Sequence, residues 1–393
     1  MRANQPSEAA ERRRADGCGL EYVRTMFYAR GMEDDPGHHL PPERVRGRGT
    51  RLNMPGRFEA QDRGAFDDGW PMLEDLPVLR TEVRLEKPRS VISRNSSPDI
   101  PFDRSINPYR GCEHGCIYCF ARPSHAYLNL SPGLDFETKL LARPGVGAVL
   151  DRELRAPSYR PEVMAIGTNT DPYQPIEGKY RVMREVLEVL CAFNHPVGIV
   201  TKGSGIERDI DLLAPMAAKG LCFVGISVTT LDRDLARKLE PRVPSPARRL
   251  QTIRRLAEAG IPVKLMVAPI IPGLTDPELE AIMAAGVEAG ASSASWVMLR
   301  LPREVSPLFR DWLAEHYPDR LNRVMSKVRE MHGGEDYAAD WGKRMRGEGI
   351  YAKLISERFK LALRRLNLRP FAPLRTDLFL PPPRPGDQLA LDL

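Results

Sequence analysis

The 393-residue chain has no apolar run near the ~20 residues that a membrane-spanning helix needs; its longest apolar stretches, 221–228 and 265–274, are strand-length. Its first residues, MRANQPSEAAERRR, lack the apolar core of a secretory signal, so a cytoplasmic protein without a membrane partner is expected. Six cysteines are too few to staple a chain of this size with disulfides. Charge of neither sign dominates: 58 Lys and Arg stand against 52 Asp and Glu, a net +6. Residues 341–393 hold 11 Lys and Arg and 5 Asp and Glu, so the whole excess lies in that tail. A modest basic tail suits an anionic partner, and equally a solvated helix face. No internal repeat is evident beyond an alternation of strand-like and helix-like runs. The remaining composition, 42% hydrophobic and 28% charged, is that of a globular protein large enough to bury a core.

Residues 1–87 read as a loop-rich extension, disordered at its start. From about residue 88 the pattern becomes regular. Strand-like runs at 105–109, 162–168, 197–202, 222–229, 263–271 and 294–301 alternate with amphipathic helical runs at 180–193, 209–219, 246–259 and 277–289. Gly220, Gly260 and Gly290 stand where three of these helices should end. Six strands alternating with helices imply a parallel sheet with right-handed crossovers, either open and doubly wound or a partial barrel. Both architectures gather ligands at the carboxyl ends of the strands. Residues 306–380 read as a helical extension with helices at 307–316, 320–331 and 350–366. Residues 381–393 read as a proline-rich leash ending in the tip Gln388-Leu389-Ala390-Leu391-Asp392-Leu393.

Three of the six cysteines fall together in SINPYRGCEHGCIYCFARP, directly after the first strand. Cys112, Cys116 and Cys119 form C-x3-C-x2-C, a concentration of soft ligands suited to a metal or cluster. Structural zinc takes four ligands, usually in two separated pairs, and no second pair is present. On a four-iron cubane, three thiolates leave one iron open to a substrate or cofactor. His114, inside the loop, is a zinc ligand on one reading and a supporting residue on the other.

The spacing and the aromatic before the last cysteine, Cys112, Cys116, Tyr118 and Cys119, resemble the signature of the radical S-adenosylmethionine (SAM) superfamily. The stretches INPYRGCEHGCIYC, TDPYQPIE (170–177), TKG (201–203), LEPRVPSP (239–246) and APIIPGLTD (268–276) are more narrowly similar to the bacterial branch related to spore photoproduct lyase. The resemblance covers about residues 90–305. It implies an α/β fold, a partial (β/α)6 TIM-like barrel over 88–305. It also implies a [4Fe-4S] cluster held by Cys112, Cys116 and Cys119, and SAM on the open iron. In that superfamily, one-electron reduction splits SAM into methionine and a 5′-deoxyadenosyl radical, which takes a hydrogen from the substrate. The cofactors carry the difficult chemistry, and the protein holds and shields them.

The same resemblance assigns site residues. Relatives bind the cofactor carboxylate with a Lys after the third strand and a Ser on the fourth, which here are Lys202 and Ser227. The Gly-Gly-Glu stretch that receives the cofactor amine is replaced by Ile166-Gly167-Thr168-Asn169-Thr170-Asp171, so Thr168, Asn169 and Asp171 are the candidate acceptors. Tyr118 is assigned to the adenosine, by backbone contact or stacking. Ile270 and Ile271 are either adenine contacts or barrel core. In spore photoproduct lyase a cysteine returns a hydrogen atom, and none of Cys18, Cys191 or Cys222 is placed to match it. Tyr109, Tyr173 and a bound solvent are alternatives that nothing in the sequence separates.

A reductant such as flavodoxin or ferredoxin is implied as electron donor. The branch suggests a DNA lesion as substrate. Lys353, Lys360 and Arg364, with Arg358 and Arg365 nearby, form a basic side of the last helix that would suit phosphates or simply face water. The other side carries Leu354, Ile355 and Leu366. The tip QLALDL resembles peptides that bind the bacterial sliding clamp. Two other readings remain at this point: a radical SAM enzyme acting on a protein or small molecule, and a non-catalytic iron–sulfur or zinc module that binds nucleic acid.

Overall fold

The computed structural model describes residues 39–40, 42–59 and 78–384. The expected disorder at the start, Cys18 and the QLALDL tip therefore lie outside the described residues. The chain lays down β1 (Glu82–Leu85) and β2 (Ile92–Arg94), then β3 (Arg104–Ile106), β4 (Tyr109–Arg110) and β5 (Lys139–Ala142). The regular alternation follows: α1 (Val146–Leu154), β6 (Met164–Ile166), α2 (Val182–Ala192), β7 (Val197–Thr201), α3 (Ile210–Ala218) and β8 (Cys222–Ser227). After α4 (Arg233–Leu239) come α5 (Pro246–Glu258), β9 (Val263–Ile270), α6 (Leu279–Glu288) and β10 (Ser293–Met298). Helices α7 (Val305–His316), α8 (Pro318–Met331) and α9 (Gly349–Arg365) follow, and one-turn helices at Asp135–Thr138 and Glu177–Tyr180 lie within the connections.

Six strands pair in parallel, in the order β3-β6-β7-β8-β9-β10. The free edge of β3 is covered by the antiparallel β2. The sheet is thus a partial (β/α)6 barrel of the kind the resemblance implied. β6, β7 and β8 are buried almost continuously, as expected for parallel strands covered on both faces. Gly220, Gly260 and Gly290 cap α3, α5 and α6 at φ +70°, +76° and +102°. The expected strand at 162–168 is shorter, because Gly167 turns the chain at φ +85° directly after β6.

Three features were not expected. A second sheet, β1-β5-β4, is built from the segment before the barrel and the segment that follows the cysteine loop. Residues 42–59 pack against that loop rather than standing apart. The chain after α9 runs back beneath the barrel: the Leu380 N–H donates to the Phe193 carbonyl (3.0 Å), and Arg155 donates to the Pro382 carbonyl (2.8 Å). The described part of the proline run therefore lies against α1 instead of projecting as a free leash. Among the described residues, no helix is long and apolar enough to cross a membrane.

Candidate active site

The cysteine loop opens from β4 at the carboxyl end of the sheet and is held in shape by groups distant in sequence. Arg122, wholly buried, places all five of its N–H donors. They reach the carbonyls of Cys116 (3.1 Å), Gly115 (3.2 Å), Pro132 (3.2 Å) and Gly133 (3.0 Å), and Glu137 Oε1 (2.6 Å). A buried ion pair tolerates its desolvation only when its hydrogen bonds are this complete. Glu137 Oε2 in turn accepts from the Gly49 N–H (2.8 Å). Gly49 meets Gly115 so closely that a Cβ there would overlap the Gly115 carbonyl, and Gly115 itself adopts φ +66°. Gln174 clasps the other side, accepting from the Glu113 N–H (2.8 Å) and donating to the Gly111 carbonyl (3.1 Å).

Cys112, Cys116 and Cys119 are free thiols within one another's electrostatic reach. Burial pushes all three up from the ordinary thiol range; Lys202 and Arg122 pull Cys116 and Cys119 the other way. Among the described residues, no three His, Cys, Asp or Glu side chains converge as they would on one metal ion. Three soft thiolates on a braced loop, with cationic groups nearby, fit an iron–sulfur cluster in donor chemistry and charge.

The candidate cofactor residues surround this loop. Lys202 follows β7, and its Nζ stands 5.7 Å from the centre of the Tyr118 ring. It forms no ion pair among the described residues, yet it acts electrostatically on Cys116, Cys119 and Glu240. Ser227 ends β8; its carbonyl accepts from Arg249 (2.9 Å), and its hydroxyl has no partner among the described residues. Thr168 and Asn169 lie half-buried after β6, with side chains likewise free of protein partners among the described residues.

Asp171 stands apart from these two. Its Oδ1 accepts from Thr201 Oγ1 (2.6 Å) and the Tyr173 N–H (2.9 Å). Its Oδ2 accepts from the Lys202 N–H (2.8 Å) and lies 3.4 Å from His114 Nδ1. Burial alone would raise its pKa, but His114 and these hydrogen bonds outweigh it and hold the carboxyl at about 2. With both oxygens engaged, Asp171 ties the ends of β6 and β7 together and sets the direction of Lys202.

Several residues important to the loop escaped the sequence reading. Glu240, buried after α4, accepts from the Tyr118 and Thr229 hydroxyls and pairs with Arg249. It lies in the LEPRVPSP stretch, but nothing in that stretch announces a partner in the cysteine loop. Ile271 falls in the same buried cluster as Cys116 and Tyr118, while Ile270 belongs to the main core. The Tyr109 hydroxyl is held by Glu177 and that of Tyr173 by Asp209, so both are turned to buried carboxylates. Cys222 Sγ donates to the Leu213 carbonyl at the amino end of β8, and Cys191 sits on α2. α9 packs on α6 and α8 through Ala352, Ile355, Phe359 and Ala362. Arg358 is engaged by Glu280, and Leu354, expected on the apolar side, is exposed.

Comparison with known proteins places these features. Residues 106–285 match the family model described as the Radical SAM superfamily. An uncharacterized protein of Mycobacterium tuberculosis is 38% identical over 265 residues, 67% of this chain and 76% of that protein. One of Methanocaldococcus jannaschii is 25% identical over 223 residues, 57% of this chain and 80% of that protein. Among solved structures, spore photoproduct lyase complexed with dinucleoside spore photoproduct aligns with a TM-score of 0.54 at 15% identity, over 72% of this chain and 79% of that one. A mutant of that lyase with bound AdoMet and the same dinucleoside aligns at 0.53 and 15%, over 72% and 78%. At such identity the likeness to the lyase is one of fold. The signature loop, the partial parallel barrel and the sequence relatives lead to one conclusion: the chain belongs to the radical SAM superfamily, whose cofactors are a [4Fe-4S] cluster and SAM.

Proposed function

We propose that this protein is a hydrogen-abstracting enzyme acting on nucleic acid, with damaged DNA as substrate and flavodoxin or ferredoxin as reductant. The cysteine loop carries this reading: three thiols on a rigid frame at the strand ends, with unpaired polar groups around them. When bound, the cluster and SAM supply one-electron cleavage of the sulfonium and hydrogen abstraction from the substrate.

The chain's own residues hold and shield. Cys112, Cys116 and Cys119 would ligate three irons and leave the fourth open. Lys202 and the Ser227 hydroxyl would take the cofactor carboxylate, as a charge-assisted contact and a neutral one. The Thr168 hydroxyl and the Asn169 amide oxygen are free to accept from the ammonium. Tyr118, pinned by Glu240, offers its ring beneath Lys202 and keeps the loop in register with β8. The buried walls of Ile271, Ile117 and Tyr118 exclude water from this side of the loop.

Anaerobic reconstitution tests the reading. The expected result is a brown protein with about four irons per chain that forms 5′-deoxyadenosine on reduction. Cys116→Ala should lose both colour and turnover, whereas Cys18→Ala should lose neither. Zinc as the bound metal, with no cleavage of SAM, would overturn it. For the substrate, deuterium in a candidate DNA lesion should appear in 5′-deoxyadenosine; its failure to transfer from any lesion would remove DNA repair.

A further inference from the structure

We infer that the rim of the barrel mouth beside Cys119 is a stacking platform for single-stranded nucleic acid; the inference rests on the function proposed above and names the surface that holds its substrate.

The observation is where the exposed rings lie. Among the described residues, the large aromatics with most of their surface open are Phe58 (54%), Tyr127 (68%) and Trp341 (60%), with Phe120 at 42%. Phe120 lies on the cysteine loop, and the other three lie in segments that hydrogen-bond to its surroundings. Phe120 follows Cys119 directly, and its ring carries the Arg300 guanidinium 4.0 Å from its centre. Arg300 lies just past the carboxyl end of β10 and acts electrostatically on Cys119. It has no hydrogen bond or ion pair among the described residues. Asp99 is within its electrostatic reach but is paired to Arg344, so the donors of this half-buried guanidinium are left for an incoming anion.

To one side, the Phe58 and Tyr127 rings lie 5.3 Å apart, with Arg57 over both at 5.5 and 5.8 Å. Arg57 donates to Glu304 Oε2 (3.1 Å) and the Pro123 carbonyl (3.3 Å). It is therefore anchored to Pro123, just past Phe120, and to Glu304, just past Arg300. To the other side, the Met298 N–H at the end of β10 donates to the Met345 carbonyl (2.9 Å). That bond brings the 341–346 turn to the edge. There Arg344 pairs with Asp99 (2.6 Å), and both bear on Arg300. Arg346 lies 4.4 Å over the Trp296 ring without a carboxylate partner among the described residues, and Trp341 stands at the start of the turn.

Rings open to water, beside two guanidinia, Arg300 and Arg346, that have no carboxylate partner among the described residues, are poor surface for a free protein. They are the two components of a single-strand binding track, in which any base offers a π-face and phosphates take the cations. The chain's basic excess, which begins at residue 341, supplies part of this edge. A strand seated here would pass directly over the cysteine loop, where a hydrogen-abstracting enzyme must present its substrate.

The test is fluorescence anisotropy of a labelled, mixed-sequence single-stranded DNA 12-mer with the anaerobic holoenzyme across a salt series. Tyr127→Ala, Trp341→Ala and Phe120→Ala should each weaken binding, by about fivefold to a hundredfold. Arg300→Ala should also flatten the plot of log affinity against log salt by about 0.7, while Arg300→Lys keeps the slope. Cluster absorbance and circular dichroism report whether each variant is folded, and the Trp341 and Tyr127 variants lie outside the cysteine loop. Wild-type binding left unchanged by those two variants would overturn the platform. So would equal binding, with the same sensitivity, of an acidic peptide of matching charge. Reductive cleavage of SAM without any binding of the 12-mer at low salt would overturn the platform and leave the radical chemistry standing. Absence of SAM cleavage would instead remove the function on which it rests.

Discussion

The Tyr118 hydroxyl donates to the carboxylate of Glu240, a residue 122 positions further along the chain. Glu240 Oε1 also accepts from Thr229 (2.7 Å), and Oε2 accepts from Arg249 Nη2 (2.7 Å). Burial opposes the charge on Glu240, but Arg249, Lys202 and the two hydroxyls outweigh it and hold its pKa below the ordinary value. The aromatic of the cysteine signature is thus locked to the ends of β8 and α4 through one ionised carboxylate.

Breaking that lock should be costly from either side. Glu240→Gln leaves Arg249 buried without its counter-charge and should destabilise the cluster-free protein by about 3 kcal/mol or more. Tyr118→Phe removes one donor and should cost about 1–2 kcal/mol. Denaturant titration under argon, run as a double-mutant cycle, should give a coupling well above zero. Additive effects would show that the two residues do not act as a unit.

Arg122 makes a different prediction, because its five donors define the path of the cysteine loop. Lysine supplies three donors from a single point and cannot reach four carbonyls and a carboxylate together. Arg122→Lys should therefore lower iron per chain after reconstitution and speed its loss to a chelator, although every cysteine remains. Iron content equal to that of the wild type would show that the loop keeps its shape without this brace.

Lys202 and Ser227 should reveal themselves in cofactor affinity. Lys202→Met should raise the KM for SAM by about tenfold to a hundredfold, the worth of a charged hydrogen bond, and Ser227→Ala by a few fold. Initial rates of 5′-deoxyadenosine formation at varied SAM measure both. A lower kcat at unchanged KM would move Lys202 from holding the cofactor to another task.

His195 sets a pH dependence remote from the site. Its Nδ1–H faces the Pro196 carbonyl (3.0 Å), its Nε2 accepts from the Tyr159 hydroxyl (2.6 Å), and its ring meets Phe379 edge-on. Burial lowers its pKa from 6.5 to about 4. The unfolded chain therefore binds the extra proton first. Stability should fall as pH drops from about 6.5 towards about 4, by at most about 3 kcal/mol. Urea denaturation of the cluster-free protein between pH 7 and pH 4.5 should show a shallower fall for His195→Gln than for the wild type. Equal slopes would exclude His195 as the origin.

Much of the site was legible in the sequence because its signals are local. C-x3-C-x2-C within eight residues needs no tertiary contact to be seen; strand periods put Lys202 at the end of one strand and Ser227 within the next, and the family resemblance made them candidates. Asp171 shows where that reading stops. Its residue type and position made it an acceptor like Thr168 and Asn169, but only the fold shows Thr201, Tyr173, Lys202 and His114 occupying both its oxygens. Leu354 shows the same limit on a helix, since which apolar side chain is buried depends on where α9 meets its neighbours.

From the amino-acid order alone came the superfamily, a candidate ligand set and the alternating architecture, all properties of short windows whose periodicity and spacing survive without a partner. Tertiary structure decided what those windows lean on: Glu240 beneath Tyr118, Glu137 against Arg122, Gly49 against Gly115, and Arg300 over Phe120. Each is a contact between segments far apart in the chain. Burial and close packing select such partners from many chemically equivalent candidates, so no local pattern can name them.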